Sequence, residues 1–375
     1  MNLSRKQNLL CVITLVFLFF ITPCRAQTDS LQDKPKDSSS NKPHLLVLPV
    51  IARSIETSWS FGSIASLTFH IGRKDSLVRT SNMQALFLYS LKKQVVALIN
   101  GTVYFPKEKF ILSQQFSFSF FPDKFWGLGK IAPDSNEESY NFKQVYIYLH
   151  GQRSLGRHIF LGVLYEYQDL IKIEYKQGGL FDKENVPGRH GYHVSGLGLS
   201  LMYDSRNNAF SPDKGIFALG SFNHFDRVLG SDFSYTNYVI DFRAFIRTYR
   251  RQVLAFQAYG FLNSGTVPLR SLASFGGANS MRGYYAGRYR DKNQAVLQSE
   301  YRVPLFWRFG AVAFAGIGNV SSHCNEFSFN TLKYSYGGGL RIALSKSEKL
   351  NLRLDYGIGK GRKSQGFYFQ LGEAF

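Results

Sequence analysis

Apolar and polar residues alternate with a period of two in one run after another from Leu45 onward. In the run 110–121, Phe and Leu fall mainly on one face, and Ser and Gln on the other. The runs 233–248 and 348–360 alternate in the same way. Successive side chains of a β-strand point to opposite faces, so this pattern indicates strands with one apolar and one polar face. Several runs are longer than strands of soluble sheets, which usually have about five or six residues.

Sixteen such runs can be counted along the chain. They cover residues 45–53, 58–69, 79–91, 94–105, 110–121, 140–151, 157–174, 191–205, 215–229, 233–248, 251–263, 293–304, 307–320, 332–345, 348–360 and 365–375. An even number of strands, each of about ten residues, is typical of bacterial membrane barrels. We therefore predict an all-β fold, a transmembrane antiparallel β-barrel of 16 strands over residues 44–375. If both ends of this segment are periplasmic, the long connections at 122–139, 175–190 and 264–292 face outside.

The composition agrees with a barrel whose outer face contacts lipid. The chain has 34 Phe and 22 Tyr, residues that favour strands, and its mean hydropathy is −0.16. Outward apolar and inward polar residues average out in a barrel, so low hydropathy does not exclude a membrane protein. The formal net charge of +19 predicts anionic neighbours such as lipid and lipopolysaccharide phosphates.

Residues 1–26 have the pattern of a cleaved signal peptide. Arg5 and Lys6 precede the apolar run 9–21, and small residues follow at the cleavage site before Gln27. A membrane anchor is the alternative, but the run is short for about 30 Å of hydrocarbon. Export argues against nucleic acid as a partner. Residues 27–43 are polar, so we predict a disordered periplasmic lead with no room for a folded domain.

A glycine-rich loop with one arginine precedes a strand with one glutamate. Residues 276–292 are too rich in Gly and polar residues for a strand or helix, whereas 293–304 alternate. Within a closed barrel the loop can fold inward and set Arg282 against Glu300. The alternative is a solvated loop arginine.

Two motifs carry a resemblance to a known family. The segment Met281-Arg282-Gly283-Tyr284 resembles the (V/M)RG(F/Y) motif of the BamA–TamA superfamily of outer-membrane barrels. Residues 204–215 are similar to that family's D-x-R-x-N-x-x-x-P-x-x-G turn. The matching turn residues are Asp204, Arg206, Asn208, Pro212 and Gly215. Five strand-like runs follow the arginine loop, as in the family, and the resemblance covers about residues 45–375.

The resemblance implies that the loop arginine bonds to acidic residues on the lumen wall. Glu300 matches the wall glutamate, and Gly276, Gly277 and Gly283 would permit the backbone turns. One departure concerns Gly316, which stands where relatives often carry an aspartate. Arg282 would then have a single wall partner or find another.

The last residues resemble the terminal assembly signal of outer-membrane barrels. Phe367, Phe369, Leu371 and Phe375 are predicted to share one face of the last strand. An ordinary closing strand is the alternative, and both interpretations can hold together.

Enzymatic signatures are absent from the sequence. No G-x-S-x-G nucleophile motif occurs, and His190 and His193 are expected to be surface residues. We predict no metal and no cofactor. Trp59, Trp126 and Trp307 are expected to anchor strand ends at the membrane interface. A further set of bases is expected to be solvated or to contact lipopolysaccharide. These are Arg288, Arg290, Lys292, Lys360, Arg362 and Lys363.

The leading hypothesis is a barrel-only member of the family, exported through its signal peptide to the bacterial outer membrane. The resemblance implies that it inserts or translocates proteins, with client barrel proteins and assembly-machine subunits as partners. Because no POTRA receptor domain fits before the barrel, we expect an accessory role in a larger complex. The alternatives are a passive outer-membrane channel gated by the arginine loop, and a surface-exposed structural or adhesive barrel.

Overall fold

The computed structural model describes residues 43–54, 58–71, 79–345, 349–361 and 364–375. The predicted signal peptide 1–26 and residues 27–42 of the predicted lead lie outside these ranges, as do Arg362 and Lys363. Those predictions stay untested. In the described part of the chain, no helix is long and apolar enough to span a membrane.

The described residues form long strands joined in sequence order. The strands are β1 (His44–Ser54), β2 (Ser58–Phe69), β3 (Ser81–Ser90), β4 (Val95–Tyr104), β5 (Phe110–Phe125), β6 (Glu138–Gly156), β7 (Ile159–Glu174), β8 (Tyr192–Asp204), β9 (Gly215–Phe225), β10 (Tyr235–Arg247), β11 (Val253–Gly265), β12 (Ala273–Phe275), β13 (Tyr289–Asp291), β14 (Asn293–Pro304), β15 (Phe309–Ser321), β16 (Lys333–Ser345), β17 (Leu350–Gly359) and β18 (Gln365–Leu371). A single helical turn, α1 (Leu180–Lys183), lies between β7 and β8.

Sixteen strands pair in one antiparallel sheet, in the order β1 to β11 and then β14 to β18. The predicted fold class and strand number are confirmed. The two remaining strands, β12 and β13, pair only with each other inside the connection between β11 and β14. The prediction of no strand in 276–292 is wrong at Tyr289–Asp291, because this segment folds back onto Ala273–Phe275. The runs 215–229 and 365–375 also end earlier, at Phe225 and Leu371.

The two faces of the sheet differ in polarity as the alternation predicts. In β8, the outward Leu197, Leu199 and Leu201 are 48%, 47% and 56% exposed. The intervening Ser200 and the inward Asp204 are buried. Exposed apolar side chains of this kind recur on strand after strand, as expected of a lipid-facing surface.

The first and last strands of the sheet approach each other but do not share a hydrogen-bonded register. Cα atoms of β1 and β18 come within 8 Å of each other. Every other neighbouring pair in the sheet has a registered ladder, whereas none joins β1 to β18 among the residues described. We call this line of contact the seam.

The two ends of the barrel are built differently. One end, the turn end, carries short connections such as 105–109, 157–158 and 305–308. The opposite loop end carries long connections, among them 126–137 and 266–292. At the loop end, apolar side chains from strand ends and connections form a buried cluster that we call the cap. Its members are Phe125, Tyr140, Phe142, Leu170, Ile173, Phe181, Val186, Tyr192, Val194, Phe225, Tyr235, Val267, Leu269 and Leu272.

Candidate functional site

The connection 266–292 folds into the lumen by close backbone contact with the wall. Gly283 has a left-handed φ of +108°, and a Cβ there would lie 2.7 Å from the Gly359 nitrogen. On the facing strand β17, a Cβ at Gly357 would lie 2.5 Å from the carbonyl carbon of Arg282. Gly276 and Gly277 also have positive φ, at +103° and +116°. Glycines on both loop and wall therefore let the loop backbone contact the strand.

This path places Arg282 in the interior, 1% exposed. Its Nη2 lies 2.5 Å from Oε1 of Glu300, and its Nη1 lies 2.5 Å from Oδ2 of Asp355. The guanidinium carbon also stands 3.5 Å from the centre of the Phe314 ring. Ion pairs shielded from water are stronger than exposed pairs, which contribute about 0–1 kcal/mol. The solvated-loop alternative for Arg282 does not describe this structure.

Arg282 is one of six charged side chains that form a closed ring of alternating sign. In order round this charge ring they are Arg282, Glu300, Arg302, Glu373, Arg341 and Asp355. Starting from Arg282–Glu300, the successive nitrogen–oxygen distances are 2.5, 2.8, 3.8, 2.7, 2.5 and 2.5 Å. Each acid has two arginine neighbours, and each arginine has two acidic neighbours. A seventh member, the fully buried Arg353, approaches Asp355 at 3.7 Å.

The second acid on Arg282 comes from β17, on a different strand from Gly316. A Cβ at Gly316 would lie 3.0 Å from the sulfur of Met281, so the loop methionine fills the space beside this glycine. Met281 is itself fully buried. The sequence did not predict Asp355 as a partner of Arg282, because the two residues are far apart in the chain and no sequence pattern indicates that they meet.

Tyr284 and Gly283 tie the loop to other strands. The Tyr284 hydroxyl donates to the Tyr334 carbonyl at 2.9 Å and accepts from the Lys360 N–H at 2.7 Å. The Gly283 N–H donates to the hydroxyl of Tyr368 in β18 at 2.9 Å. The last strand of the sheet is therefore bonded directly to the arginine motif.

The predicted turn motif lies at the turn end, outside the lumen site. Arg206 donates to both oxygens of Asp204, at 2.8 and 3.0 Å. Arg79, which the sequence did not single out, bonds Asp204 at 2.5 Å and also pairs with Glu108. The Asn208 side chain accepts two backbone N–H bonds, and Pro212 is buried. Asp213 lies in the same connection. Burial raises the pKa of its carboxyl group, but hydrogen bonds from Lys349 and Arg247 have the larger effect, so this pKa lies below its usual value.

Replacing Gly215 with alanine is expected to destabilise this turn. Gly215 has φ +110°, and a Cβ would lie 2.4 Å from the Ser205 carbonyl oxygen. Gly230 is a matched control because it has φ +83° but open space around its Cβ. We expect Gly230→Ala to cost about 1–2 kcal/mol from backbone strain alone, and Gly215→Ala to cost more. The measurement is the temperature at which the folded band is lost in electrophoresis. Equal losses for the two variants would contradict the steric argument.

A second charged hub, not predicted from the sequence, holds the loop end together. Asp123 near the end of β5 is 4% exposed and has partners in two other segments, β6 and the connection 266–292. It accepts from Tyr140 and Tyr285 at 2.9 and 3.0 Å, and from Arg290 and Arg270 at 2.9 and 3.2 Å. Arg270, Tyr285 and Arg290 are far from Asp123 in the chain, so the sequence pattern does not indicate that they meet.

The hub corrects three sequence predictions. Arg288 and Arg290 are buried, the former over the ring of Trp126 at 4.8 Å, so neither is a solvated base. Trp126 packs edge-on against Tyr285 and is buried, so it does not anchor the strand end in the membrane interface. Trp307, in contrast, is 73% exposed at the turn end. These side chains are internal because the loops that carry them fold back onto the barrel.

We expect Asp123→Asn to loosen the cap. Hydrogen bonds between charged groups contribute about 1.5–3 kcal/mol, so trypsin cleavage after Arg270 and Arg290 should increase about tenfold or more. Asp169→Asn is the matched control, because Asp169 is a half-buried aspartate of β7. Unchanged cleavage in Asp123→Asn would show that the hub does not hold the cap.

The terminal residues only partly match the predicted shared face. Phe367 is 60% exposed on the outer face of β18, with Phe369 and Leu371 on the same side. Phe375 is not on that face. The strand ends at Leu371, Gly372 adopts φ +83°, and Phe375 turns inward to pack against Phe245.

The described residues contain no cluster of metal-binding side chains. None of their His, Cys, Asp and Glu side chains form a group that could hold a metal ion. His190 and His193 are exposed, and His193 pairs with Asp232 at 3.2 Å. The single cysteine of the described chain, Cys324, is exposed.

The comparison with known proteins agrees with this architecture. The model of the Omp85 superfamily domain matches residues 104–375. The chain belongs to the Omp85 superfamily. The matched residues 104–375 include both the turn motif and the arginine loop, so the family resemblance predicted from these two motifs is confirmed. No curated protein sequence matches the chain.

Two solved structures show the same fold. BamA from Haemophilus ducreyi, crystallised without POTRA domains 1–3, is 14% identical with a TM-score of 0.55, over 88% of this chain and 70% of that one. CdiB from Acinetobacter baumannii is 12% identical with a TM-score of 0.55, over 88% of this chain and 59% of that one. The chain is thus an Omp85 outer-membrane β-barrel related in fold to BamA and CdiB.

Proposed function

We propose that this Omp85 barrel inserts or translocates proteins at the outer membrane and that the seam is the working part. The observation that carries the proposal is the contrast between a filled lumen and a seam without a ladder. The arginine loop and the cap occupy the interior, whereas no registered ladder joins β1 to β18 among the described residues. An unpaired strand edge is a template for another strand.

The seam supports a strand-addition mechanism. An incoming client strand would pair with the exposed edge of β1 or β18 and gain backbone hydrogen bonds as it leaves water. The shortness of β18 favours opening of the barrel at the seam. This strand has 7 residues, whereas β5 and β6 have 16 and 19. A short strand gives a narrow lipid-facing band, which thins the bilayer beside the seam.

The partners follow from this mechanism. Outer-membrane lipid surrounds the barrel, and lipopolysaccharide phosphates are suited to its basic loops. Client barrel proteins would use the seam, and assembly-machine subunits would deliver them. The accessory role within a larger complex remains part of this proposal.

Reconstitution tests the proposed function. An unfolded client barrel is added to liposomes that contain the protein, and its folded, heat-modifiable band is followed over time. We expect faster client folding than in empty liposomes or in liposomes with an unrelated, fully closed barrel. Equal rates in all three, without co-purification of assembly subunits from membranes, would overturn the insertase proposal.

A passive channel is the second candidate because the lumen is polar and contains a cavity. The cavity has a volume of about 360 Å³ and is lined by Asp241, Arg243, Gln257 and Asn279 among others. In this alternative the arginine loop is a constriction. Arg282→Ala would then change single-channel conductance and leave envelope assembly unaffected.

A further inference from the structure

The four residues after β18 occupy a built site inside the barrel. We call residues 372–375 the tail. Gly372 departs from strand geometry with φ +83°, and its N–H donates to the Asn351 carbonyl at 2.8 Å. Both Ala374 and Phe375 are buried, at 9% and 6% exposure. The tail therefore turns away from the membrane face of β18 and into the turn end of the lumen.

The acidic residue of the tail has four polar neighbours. Glu373 Oε2 lies 2.7 Å from Nε of Arg341 and 3.8 Å from Nε of Arg302. Its Oε1 accepts from the Asn351 side chain at 2.7 Å and from the Ser211 hydroxyl at 3.5 Å. The carboxylate is only 2% exposed, so its binding has the character of an internal ion pair.

The aromatic residue of the tail fits a separate apolar pocket. Phe375 and Ala374 pack with Phe245, Val253 and Ala255 from β10 and β11. The Arg302 guanidinium lies 5.7 Å from the ring centres of both Phe375 and Phe245, and its Nη2 donates to the Phe375 carbonyl at 3.0 Å. Arg302 thus contacts both the backbone and the aromatic ring of Phe375.

The charge balance favours an acidic occupant of this site. The charge ring and Arg353 together contain four arginines, and among the described residues their acidic partners on the barrel wall are Glu300 and Asp355. Glu373 from the tail is the third. Without an acid at this position, Arg302 and Arg341 each lose one of two carboxylate neighbours, and uncompensated buried charge is costly.

We propose that these wall residues form a peptide-binding site, the tail site, in which the tail is a displaceable internal ligand. Its ligand class is an extended peptide segment with a carboxylate side chain two residues before an aromatic one. On the proposed function, on which this site rests, the incoming ligand is such a segment of an unfolded client barrel. Exchange would release β18 from the lumen wall and put the client's carboxylate in the place of Glu373 between Arg302 and Arg341, linking client arrival to the seam.

Peptide binding to two full-length proteins tests the tail site. One is the wild type, and the other is the double variant Glu373→Gln/Phe375→Ala, which weakens the tail and leaves the wall intact. The probe is a fluorescent, amidated peptide of sequence Leu-Gly-Glu-Ala-Phe. We expect the double variant to bind it about tenfold more tightly than the wild type. Control peptides with Gln for Glu, or Ala for Phe, should bind the double variant about tenfold more weakly. Equal binding by the two proteins, or of the three peptides, would overturn the proposal.

Competition in a near-native protein keeps the test decisive if the double variant does not fold. Cysteines at Ala255 and Ala374, which share the apolar cluster, are introduced in a Cys324→Ser background and oxidised. We expect excess probe peptide to lower the cross-link yield, and the Gln peptide to lower it less. If neither peptide changes the cross-link yield, the tail is not displaced and the proposal is refuted. Client folding by the wild type is measured separately, so a failed tail site leaves the insertase proposal standing, and the converse also holds.

Discussion

The variant Arg282→Ala is expected to lose about 3–5 kcal/mol of folding free energy, the usual cost of removing one partner from a buried ion pair. Two carboxylates, those of Glu300 and Asp355, would each lose their 2.5 Å partner while staying buried. The Phe314 ring would also lose the cation stacked on it. The folded band of the purified barrel should therefore disappear at a much lower temperature in electrophoresis.

A matched control separates this effect from the loss of any arginine. Arg227 lies on an exposed loop, and Arg227→Ala is expected to leave the transition temperature unchanged. A conservative variant sharpens the test: Arg282→Lys keeps one positive charge beside Glu300 and Asp355 and should lose less folding free energy than Arg282→Ala. If Arg282→Ala were as stable as Arg227→Ala, the buried ring would contribute nothing to the fold.

The variant Gly357→Val is expected to expel the arginine loop from the lumen without altering a loop residue. Even the Cβ alone would lie 2.5 Å from the Arg282 carbonyl carbon and 2.7 Å from the Gly283 nitrogen, both of them backbone atoms. Backbone cannot rotate away as a side chain can, so the loop must leave the wall. Single-channel conductance in planar bilayers should rise, because the loop would no longer occupy its part of the lumen.

Gly220→Val supplies the control for this change. Gly220 lies in β9, and an added Cβ there meets no atom within 4 Å. Its conductance should match the wild type. A Gly357→Val barrel that conducts no more than Gly220→Val would show that the loop does not block the lumen. Client folding measured on the same liposomes distinguishes the two functions, since a pore gains conductance with no change in folding of other barrels.

The strand framework could be predicted from sequence because its signal is local. A period of two needs only neighbouring residues, and a lipid-facing strand enforces it over its full length, as at Leu197, Leu199 and Leu201. The inward parity of Glu300 followed from the same rule. Arg282 could be assigned to the lumen because its whole motif, with the glycines beside it, resembles the family.

Contacts between distant segments could not be read in the same way. Asp355 replaces the expected acid near Gly316 because the loop crosses several strands and reaches β17. Asp123 collects partners from connections far along the chain. Phe375 continues the alternation of β18, yet a single left-handed Gly372 turns it inward. In each case the deciding fact is which surfaces meet, and periodicity carries no information about that.

Locking the seam tests the central claim most directly. Cysteine pairs along β1 and β18 are oxidised in a Cys324→Ser background, and client folding is measured before and after reduction. Ala65→Cys/Ala85→Cys, a pair across the registered β2–β3 ladder, is the control for a cross-link elsewhere. Our account predicts that the seam cross-link abolishes the acceleration of client folding and that reduction restores it, while the control cross-link has no effect. Full acceleration with the seam locked would contradict it.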